Sequence, residues 1–368
     1  MKKIEIEKMG LKIGALCAAL LLLGAVPGCG AGNESEKMET AVVTVVPAVT
    51  EQAEAETQTA RNAEDGTQTA ASSITYTDAL GRSIVLEAEE LERIRSGEEK
   101  TAVLNGSFAE IWSIAGGRLD VVTEDAYEDG RQVQLTEETV NAGAMKSPSL
   151  ETLLEADVKL AVLNAETKEH VSMQEALEGA GIRTIYHSVE TFEDYLKVLR
   201  LFTQITGRED CYEQYGVQLR EEIAEQLARQ DDSHPTVLFI RAYSSGARAK
   251  GSDSMTGIML KELGCENIAD SEENLLDDLS MEVILEKDPE YIFVTTMGKD
   301  DQAALDSVKA LLQDNPAWSS LTAVAEGHYY VLPKNMFHNK PNQRWAESYR
   351  MLADYLYPEK GTDENETK

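Results

Sequence analysis

The stretch Ser149-Leu-Glu-Thr-Leu-Leu-Glu-Ala-Asp-Val-Lys-Leu-Ala-Val-Leu163 has a counterpart further along the chain, Ser280-Met-Glu-Val-Ile-Leu-Glu-Lys-Asp-Pro-Glu-Tyr-Ile-Phe-Val294. The shared positions are Ser149, Glu151, Leu154, Glu155 and Asp157, which recur as Ser280, Glu282, Leu285, Glu286 and Asp288. Each copy joins a helical pattern to an apolar run typical of a buried strand. The repeat predicts two related α/β lobes with a working cleft between them.

Strand, turn and helix signals alternate on both sides of the repeated phrase. This alternation predicts mostly parallel sheets covered by helices, in a first lobe at 74–188 and a second at 235–358. The alternating pattern at 74–86 predicts a hairpin that turns at Leu80-Gly81-Arg82. Ser107 and Glu110 are spaced as a capping box, which predicts that Ser107 caps the following helix.

The segment between the lobes has a different pattern. Aromatic and aliphatic residues follow helical spacing from Thr191 to Arg229, with one weak break at Gly207. This pattern predicts a single long helix at 189–230 that connects the two lobes.

The N-terminal 28 residues have the features of an export signal. Lysines precede a short apolar stretch from Leu16 to Val26, which is too short to cross a bilayer. The following Val26-Pro27-Gly28-Cys29 resembles the lipobox of bacterial lipoproteins, which implies that Cys29 is lipidated. Residues 29–73 are acidic and nearly devoid of aromatic residues, so they predict a disordered tether, as does 359–368 for the tail.

Composition limits the possible partners. The chain has 66 Asp and Glu against 34 Lys and Arg, a formal net charge of -32, which argues against nucleic acid and against electrostatic binding to anionic lipid. Cys17 lies in the leader, so the body keeps Cys211 and Cys265. Two cysteines do not form a disulfide framework, and whether they pair stays open.

Candidate ligand contacts lie in loops after the predicted strands, since parallel sheets bind ligands beyond their carboxyl ends. Cationic side chains there suit carboxylate, phosphate or catecholate oxygens, and Tyr, Phe and Met suit a flat or apolar face. Each candidate also has a purely structural explanation: the methionines could pack in the core, Ser107 could cap a helix, and Lys340 could be a solvated surface charge. The candidates are Ser107, Met145, Arg241, Tyr243, Arg248, Lys250, Met297, Phe337, His338 and Lys340.

The sequence lacks the usual marks of catalysis and of a bare-metal site. It has no GxSxG elbow, no HExxH and no phosphate-binding glycine loop, so we predict that it is not an enzyme. Its five histidines are scattered, so we predict no metal site, although His338 or Tyr243 could supply one axial ligand to a chelated metal. A tethered surface sensor or adhesion module is an open alternative.

Several motifs together carry a family resemblance. Asp78-Ala-Leu-Gly-Arg-Ser-Ile-Val-Leu86, the twin Ser-x-Glu phrases, the run from Asn315 to Leu332 and the mid-chain helix resemble the substrate-binding proteins of ABC importers for iron-siderophores, haem and cobalamin. The resemblance covers residues 74–358. It implies two Rossmann-like lobes joined by one rigid long α-helix, in the helical-backbone class of periplasmic binding proteins.

The resemblance also implies partners and location. The cargo would be a metal chelate, first of all a ferric siderophore and alternatively haem or a corrinoid, bound between the lobes without a cofactor. Glu151 and Glu282 match the glutamates that dock onto the permease dimer. The simpler explanation for each is that an acid in a first helical turn is favoured by about 0.3 to 1 kcal/mol. The expected protein is a monomer, lipid-anchored on the outer face of the cytoplasmic membrane.

Overall fold

The computed structural model describes residues 73–272, 275–276 and 279–358. The predicted signal peptide, Cys29, all of the tether except Ser73, and the tail lie outside the described residues. Among the described residues, no helix is long and apolar enough to cross a membrane.

The first lobe is built on a five-stranded parallel sheet with the strand order β5-β4-β3-β6-β7. An antiparallel hairpin precedes it and turns at Gly81, as predicted. The strands are β1 (Ile74–Thr77), β2 (Ser83–Leu86), β3 (Lys100–Val103), β4 (Val121–Val122), β5 (Val140–Asn141), β6 (Val158–Asn164) and β7 (Arg183–His187). The helices are α1 (Ala88–Ser96), α2 (Gly106–Ile114), α3 (Leu150–Glu155), α4 (Lys168–Ser172) and α5 (Gln174–Gly179), with a 3-10 turn at Glu124–Tyr127.

The connection between the lobes corrects the prediction of a single helix at 189–230. Its helices are α6 (Phe192–Thr206), α7 (Glu209–Tyr212) and α8 (Gln218–Leu227), with a π-helical turn at Glu213–Val217. Gly207 ends α6 in the left-handed conformation, at φ 76°. Arg220 of α8 pairs with Glu193 at the start of α6, so the two helical stretches run antiparallel. The helical spacing of apolar residues continues across Gly207 because α6 and the helices after it each bury one face.

The second lobe has a sheet with the order β10-β8-β11-β12, in which these pairs are parallel, and β9 pairs antiparallel with β8. The strands are β8 (Thr236–Tyr243), β9 (Gly246–Ala249), β10 (Glu266–Asn267), β11 (Tyr291–Thr296) and β12 (Tyr329–Val331). The main helices are α9 (Met255–Glu262), α10 (Met281–Lys287), α11 (Asp301–Val308), α12 (Thr322–Ala325), α13 (Lys334–Phe337) and α14 (Trp345–Leu356). The predicted fold class, two α/β lobes with mostly parallel sheets, is confirmed.

The two copies of the repeated phrase share a backbone feature. Each phrase forms a helix followed by a parallel strand, and Asp157 and Asp288 adopt left-handed conformations, with φ 58° and 43°, where the helices end. The Ser149 side chain accepts a hydrogen bond from the Thr152 amide, whereas Ser280 makes no such cap bond. The two copies of the phrase therefore resemble each other in their strands and in the backbone of the aspartates more than in the contacts of the serines.

One hydrophobic cluster extends across both lobes. It contains Phe108 and Trp112 of the first lobe together with Phe239 and Trp345 of the second. Trp345 packs edge-on against Phe192 of α6, with ring centroids 5.9 Å apart. A shared core of this kind holds the lobes together and opposes large relative motion.

Candidate ligand-binding site

A cleft of about 1030 Å³ lies between the two lobes. Its first-lobe wall is formed by residues 124–129, after β4, and 144–146, after β5. Its second-lobe wall is formed by residues 298–301, after β11, and 333–339, after β12. All four segments follow the carboxyl ends of strands, where α/β sheets bind ligands, and the volume suits a small molecule of chelate size.

The first-lobe wall is acidic. Glu124, Glu128 and Asp129 are exposed in the cleft, and none of them forms an ion pair within the part of the chain that the structure describes. Asp125 has a structural task instead, since its carboxylate accepts hydrogen bonds from the Gly106 amide at 2.7 Å and the Thr123 hydroxyl at 2.6 Å. A Cβ at position 106 would lie 2.6 Å from the Asp125 carbonyl oxygen. The close approach of Gly106 to Asp125 therefore requires glycine.

The second-lobe wall is basic at its rim. Lys299 is exposed, and the Lys334 ammonium lies 3.6 Å from the Asp301 carboxylate. Asp301 also accepts a hydrogen bond from the Thr296 hydroxyl at 2.7 Å, which fixes this carboxylate at the end of β11. Lys146 of the first-lobe wall is exposed as well, so each wall of the cleft carries both carboxylate and ammonium groups.

Arg241 and Thr295 lie near the carboxyl ends of β8 and β11, and His338 follows α13, but none of the three is among the residues that line the cleft. Arg241 and Thr295 are register partners on β8 and β11. Burial, together with the nearby Arg241, Lys334 and Lys340 cations, lowers the pKa of His338 to about 4, so its imidazole is neutral at pH 7. Lys334 and Asp301, whose charges affect the pKa of His338, line the cleft, whereas His338 itself does not.

A buried polar cluster joins the two lobes. The Glu110 carboxylate is fully buried and lies 3.6 Å from Arg131 and 3.7 Å from Arg344. It also accepts hydrogen bonds from Asn342 at 3.0 Å and Gln343 at 3.1 Å. Glu110 and Arg131 belong to the first lobe and the other three residues to the second. The cluster explains why Glu110 does not form the predicted capping box.

The predicted cap at Ser107 is wrong. Asn105 caps α2, since its side-chain oxygen accepts hydrogen bonds from the Ser107 and Phe108 amides at 3.0 and 3.3 Å. Ser107 is buried in the first turn, and its hydroxyl accepts a hydrogen bond from Arg131 at 2.8 Å. Asn and Ser both favour caps, so the sequence allowed either start.

The structure brings together only some of the candidate ligand contacts. Met145 lines the cleft, Arg241 and His338 do not, and Met297 is 41% exposed next to Gly298 of the wall. Tyr243, Arg248 and Lys250 lie on or beside the β8–β9 hairpin. The ligand-binding roles of these seven residues stay predictions.

Two further candidates have other environments. Phe337 is fully buried in the shared core, so its predicted ligand contact is corrected to core packing. Lys340 forms an ion pair with Glu190, which precedes α6, and this pair ties the second lobe to the connection.

The loop after β4 was missed. It supplies Glu124, Glu128 and Asp129, and the apolar pair Val121-Val122 is the strand signal that could have located it. Lys146, Lys299, Lys334, Asn335 and Asn339 lie in loops that the strand-end rule did identify, although their side chains were not selected.

Glu151 and Glu282 are exposed in the first turns of α3 and α10, the equivalent helices of the repeat. Glu155 and Glu286 are also exposed, at the other end of the same helices. The chain thus has two matched pairs of surface glutamates, of which only the first was assigned to permease docking.

Two α/β lobes, a shared core and a polar interlobe cleft define a substrate-binding protein of the kind that serves ABC importers. Residues 102–336 match the family described as Periplasmic binding protein, and the chain belongs to this family. Its members are extracytoplasmic binding proteins that work with an ABC permease, not enzymes, and they carry no cofactor. The resemblance seen in the sequence and the prediction of no enzymatic activity are confirmed.

Solved structures agree with this assignment of fold. The periplasmic haem-binding protein RhuT from Roseiflexus sp. RS-1 is 22% identical, with a TM-score of 0.55 over 70% of this chain and 98% of its own. The petrobactin-binding protein YclQ from Bacillus subtilis is 17% identical, with a TM-score of 0.59 over 77% and 97%. The triscatecholate siderophore-binding protein FeuA from Bacillus subtilis, complexed with ferri-bacillibactin, is 18% identical, with a TM-score of 0.58 over 77% and 97%. No curated protein sequence matches the chain significantly.

Proposed function

We propose that this protein captures a metal chelate, first of all a ferric siderophore, in the interlobe cleft and delivers it to an ABC permease. The observation that carries the proposal is the polar cleft of about 1030 Å³, whose walls contain both carboxylates and ammonium groups. Such a cavity suits a hydrophilic chelate with many oxygen atoms better than a purely apolar ligand. The solved relatives that bind petrobactin and ferri-bacillibactin support the same class of cargo.

Lipidation of Cys29 and docking through Glu151 and Glu282 complete the proposal. A diacylated cysteine would hold a monomer at the outer face of the cytoplasmic membrane, and residues 29–73 would let its two lobes reach the permease. The two glutamates lie exposed on equivalent helices of the two lobes. Paired acidic groups of this kind suit paired arginines on a permease dimer.

Ligand titration tests the cargo class. The purified full chain would be titrated with ferric siderophores, haemin and cyanocobalamin, with tryptophan fluorescence and thermal unfolding as readouts. We expect saturation by one ferric siderophore with a Kd below about 1 μM, equivalent to more than about 8 kcal/mol. Haemin or cyanocobalamin as the tightest ligand would move the cargo to the haem or corrinoid alternative. No binding across the panel would contradict the proposal and favour a tethered sensor or adhesion module.

A further inference from the structure

A short turn of the first-lobe wall, here called the Met145 turn, carries side chains into the cleft. It comprises residues 144–147, between β5 and α3, and its Met145 and Lys146 line the cleft. Within the turn, the Ser147 amide donates a hydrogen bond to the Ala144 carbonyl oxygen at 2.9 Å. A turn of this size does not hold one position by itself, so the surrounding structure must fix it.

The backbone before the turn is attached to the other segment of the same wall. The Glu124 amide donates a hydrogen bond to the Gly143 carbonyl oxygen at 2.9 Å. This contact fixes the start of the turn against residues 124–129. It does not reach Met145, which lies two residues further along the chain.

His170 holds the turn at Met145. Its Nε2 lies 2.6 Å from the Met145 carbonyl oxygen, and its Nδ1 lies 3.0 Å from the Asn164 amide nitrogen. The Asn164 amide can only donate, so Nδ1 accepts and the neutral ring carries its proton on Nε2. Nε2 therefore donates to the Met145 carbonyl oxygen. Within the described part of the chain, no other donor reaches that oxygen.

The surroundings of His170 keep its ring in this neutral form. Burial lowers the pKa of His170, so the imidazole is uncharged at pH 7. The Met145 carbonyl and the Asp125 and Glu169 carboxylates act in the opposite direction without reversing the shift. A neutral ring can accept at Nδ1 and donate at Nε2 at the same time, as both contacts require.

His170 is itself fixed to the sheet. Asn164, its partner at Nδ1, ends β6, and the Tyr186 hydroxyl on β7 donates a hydrogen bond to the His170 carbonyl oxygen at 2.9 Å. The strands β6 and β7 are paired, so the imidazole stands on a rigid base. Its side chain is fully buried, so His170 can affect a ligand only through the Met145 turn.

We propose that His170 is a positioning residue, which holds the Met145 turn in the shape that receives the cargo. Without this hydrogen bond, the turn would have to be ordered when the ligand binds, and that ordering would reduce the affinity. This inference rests on the proposed function and names a residue that sets the shape of its binding wall.

Two substitutions separate the hydrogen bonds of His170. In asparagine, the side-chain oxygen is attached to Cγ, as Nδ1 is in histidine, so His170→Asn keeps an acceptor for Asn164 and loses the donor to Met145. In glutamine, the amide nitrogen lies one bond further out, as Nε2 does, so His170→Gln keeps the donor to Met145. Each variant loses one buried hydrogen bond, so their thermal midpoints should fall by similar amounts.

Hydrogen exchange of the full chain tests the position of the turn without any ligand. We expect the Ser147 amide to exchange at least about fivefold faster in His170→Asn than in the wild type, and His170→Gln to stay close to the wild type. Lys168→Gln, at an exposed position of the same helix, is the matched control and should change nothing. Wild-type exchange in His170→Asn, or equal acceleration in both His170 variants, would overturn the positioning role.

Fluorescence titration with ferric petrobactin and ferric bacillibactin tests the consequence for binding. We expect His170→Asn to weaken the tighter of the two by about fivefold to thirtyfold, and His170→Gln to retain most of the affinity. Equal affinities in a folded His170→Asn variant and the wild type would contradict the proposal. If the wild type binds neither chelate, the proposed function fails for these siderophores, and hydrogen exchange still decides the role of His170.

A measurement on the wild-type ring keeps the proposal testable if His170→Asn does not fold. Nitrogen NMR of the ¹⁵N-histidine-labelled chain distinguishes the two neutral tautomers. The His170 signal can be assigned by replacing the other four histidines in turn. We expect the proton on Nε2, whereas a proton on Nδ1 would overturn the hydrogen bond to Met145.

Discussion

At the scale of single residues, Glu110 is the charge on which the lobe junction depends. Its carboxylate is fully buried between Arg131 and Arg344, which come from different lobes. Removing one partner of a buried ionic cluster leaves the others uncompensated. We expect Glu110→Ala to lower the free energy of unfolding by about 3 to 5 kcal/mol in urea denaturation. Glu137→Ala, at an exposed position of the first lobe, should change it by less than about 0.5 kcal/mol.

His187 makes stability depend on pH. Burial lowers its pKa to about 3 in the folded protein, where its Nδ1 lies 3.2 Å from the Tyr76 hydroxyl oxygen. In the unfolded chain, His187 binds a proton near pH 6.5, whereas in the folded protein it stays neutral down to about pH 3. Its contribution to the free energy of unfolding is therefore fully present above pH 6.5 and is lost as the pH falls. His187→Phe should make the decline between pH 6 and pH 4 shallower by about 1.4 kcal/mol per pH unit. An unchanged slope in urea denaturation across this range would contradict the assignment.

Some of these residues could be located from the sequence and others could not. Arg241 and His338 were selected as candidate ligand contacts because each lies in a loop after a predicted strand, but neither is among the residues that line the cleft. Phe337 adjoins His338 but is fully buried, and only the packing of α13 against the core separates the two. Glu110 gave no local signal, since its role depends on contacts with residues more than two hundred positions away.

At the scale of elements, Gly207 decides how the lobes are connected. Its left-handed conformation, φ 76°, ends α6 and lets the chain reverse into α7 and α8. A side chain at such a position costs about 1 to 2 kcal/mol, so Gly207→Ala should lower the free energy of unfolding by that amount. Gly179 in α5 has ordinary backbone angles and open space around it, so Gly179→Ala should raise stability by about 0.5 to 1 kcal/mol. Equal effects in urea denaturation would contradict this role for Gly207.

The elements were largely predictable because hydrophobic period and repeat both reflect burial. The hairpin at 74–86, the helix–strand repeat and most strands of both sheets follow from the sequence pattern, whereas β5, β9 and β10 were not predicted. The direction of a chain reversal does not follow, because two antiparallel helices and one continuous helix bury apolar residues at the same spacing. The β8–β9 hairpin also does not follow from the sequence, since Ser244 and Ser245 indicate only a turn.

At the scale of the whole molecule, the two lobes behave as one body around a binding cleft. The shared core, the Glu110 cluster and the pair between Lys340 and Glu190 all cross between parts that a hinge would separate. A large hinge motion that closes the lobes over a ligand would break all of these contacts at once. A rigid body presents Glu151 and Glu282 to a partner at a fixed separation, which suits recognition of the loaded protein by a permease dimer.

Transport in cells lacking the native chain tests this account most directly. Cells would carry the wild-type chain, Glu151→Arg with Glu282→Arg, or the matched control Glu155→Arg with Glu286→Arg, and uptake of a radiolabelled ferric chelate that the purified chain binds would be measured. We expect the first double variant to lose uptake while binding the chelate with unchanged affinity, and the control to transport normally. Normal uptake by the first double variant, or equal loss in both, would contradict delivery through this pair of glutamates.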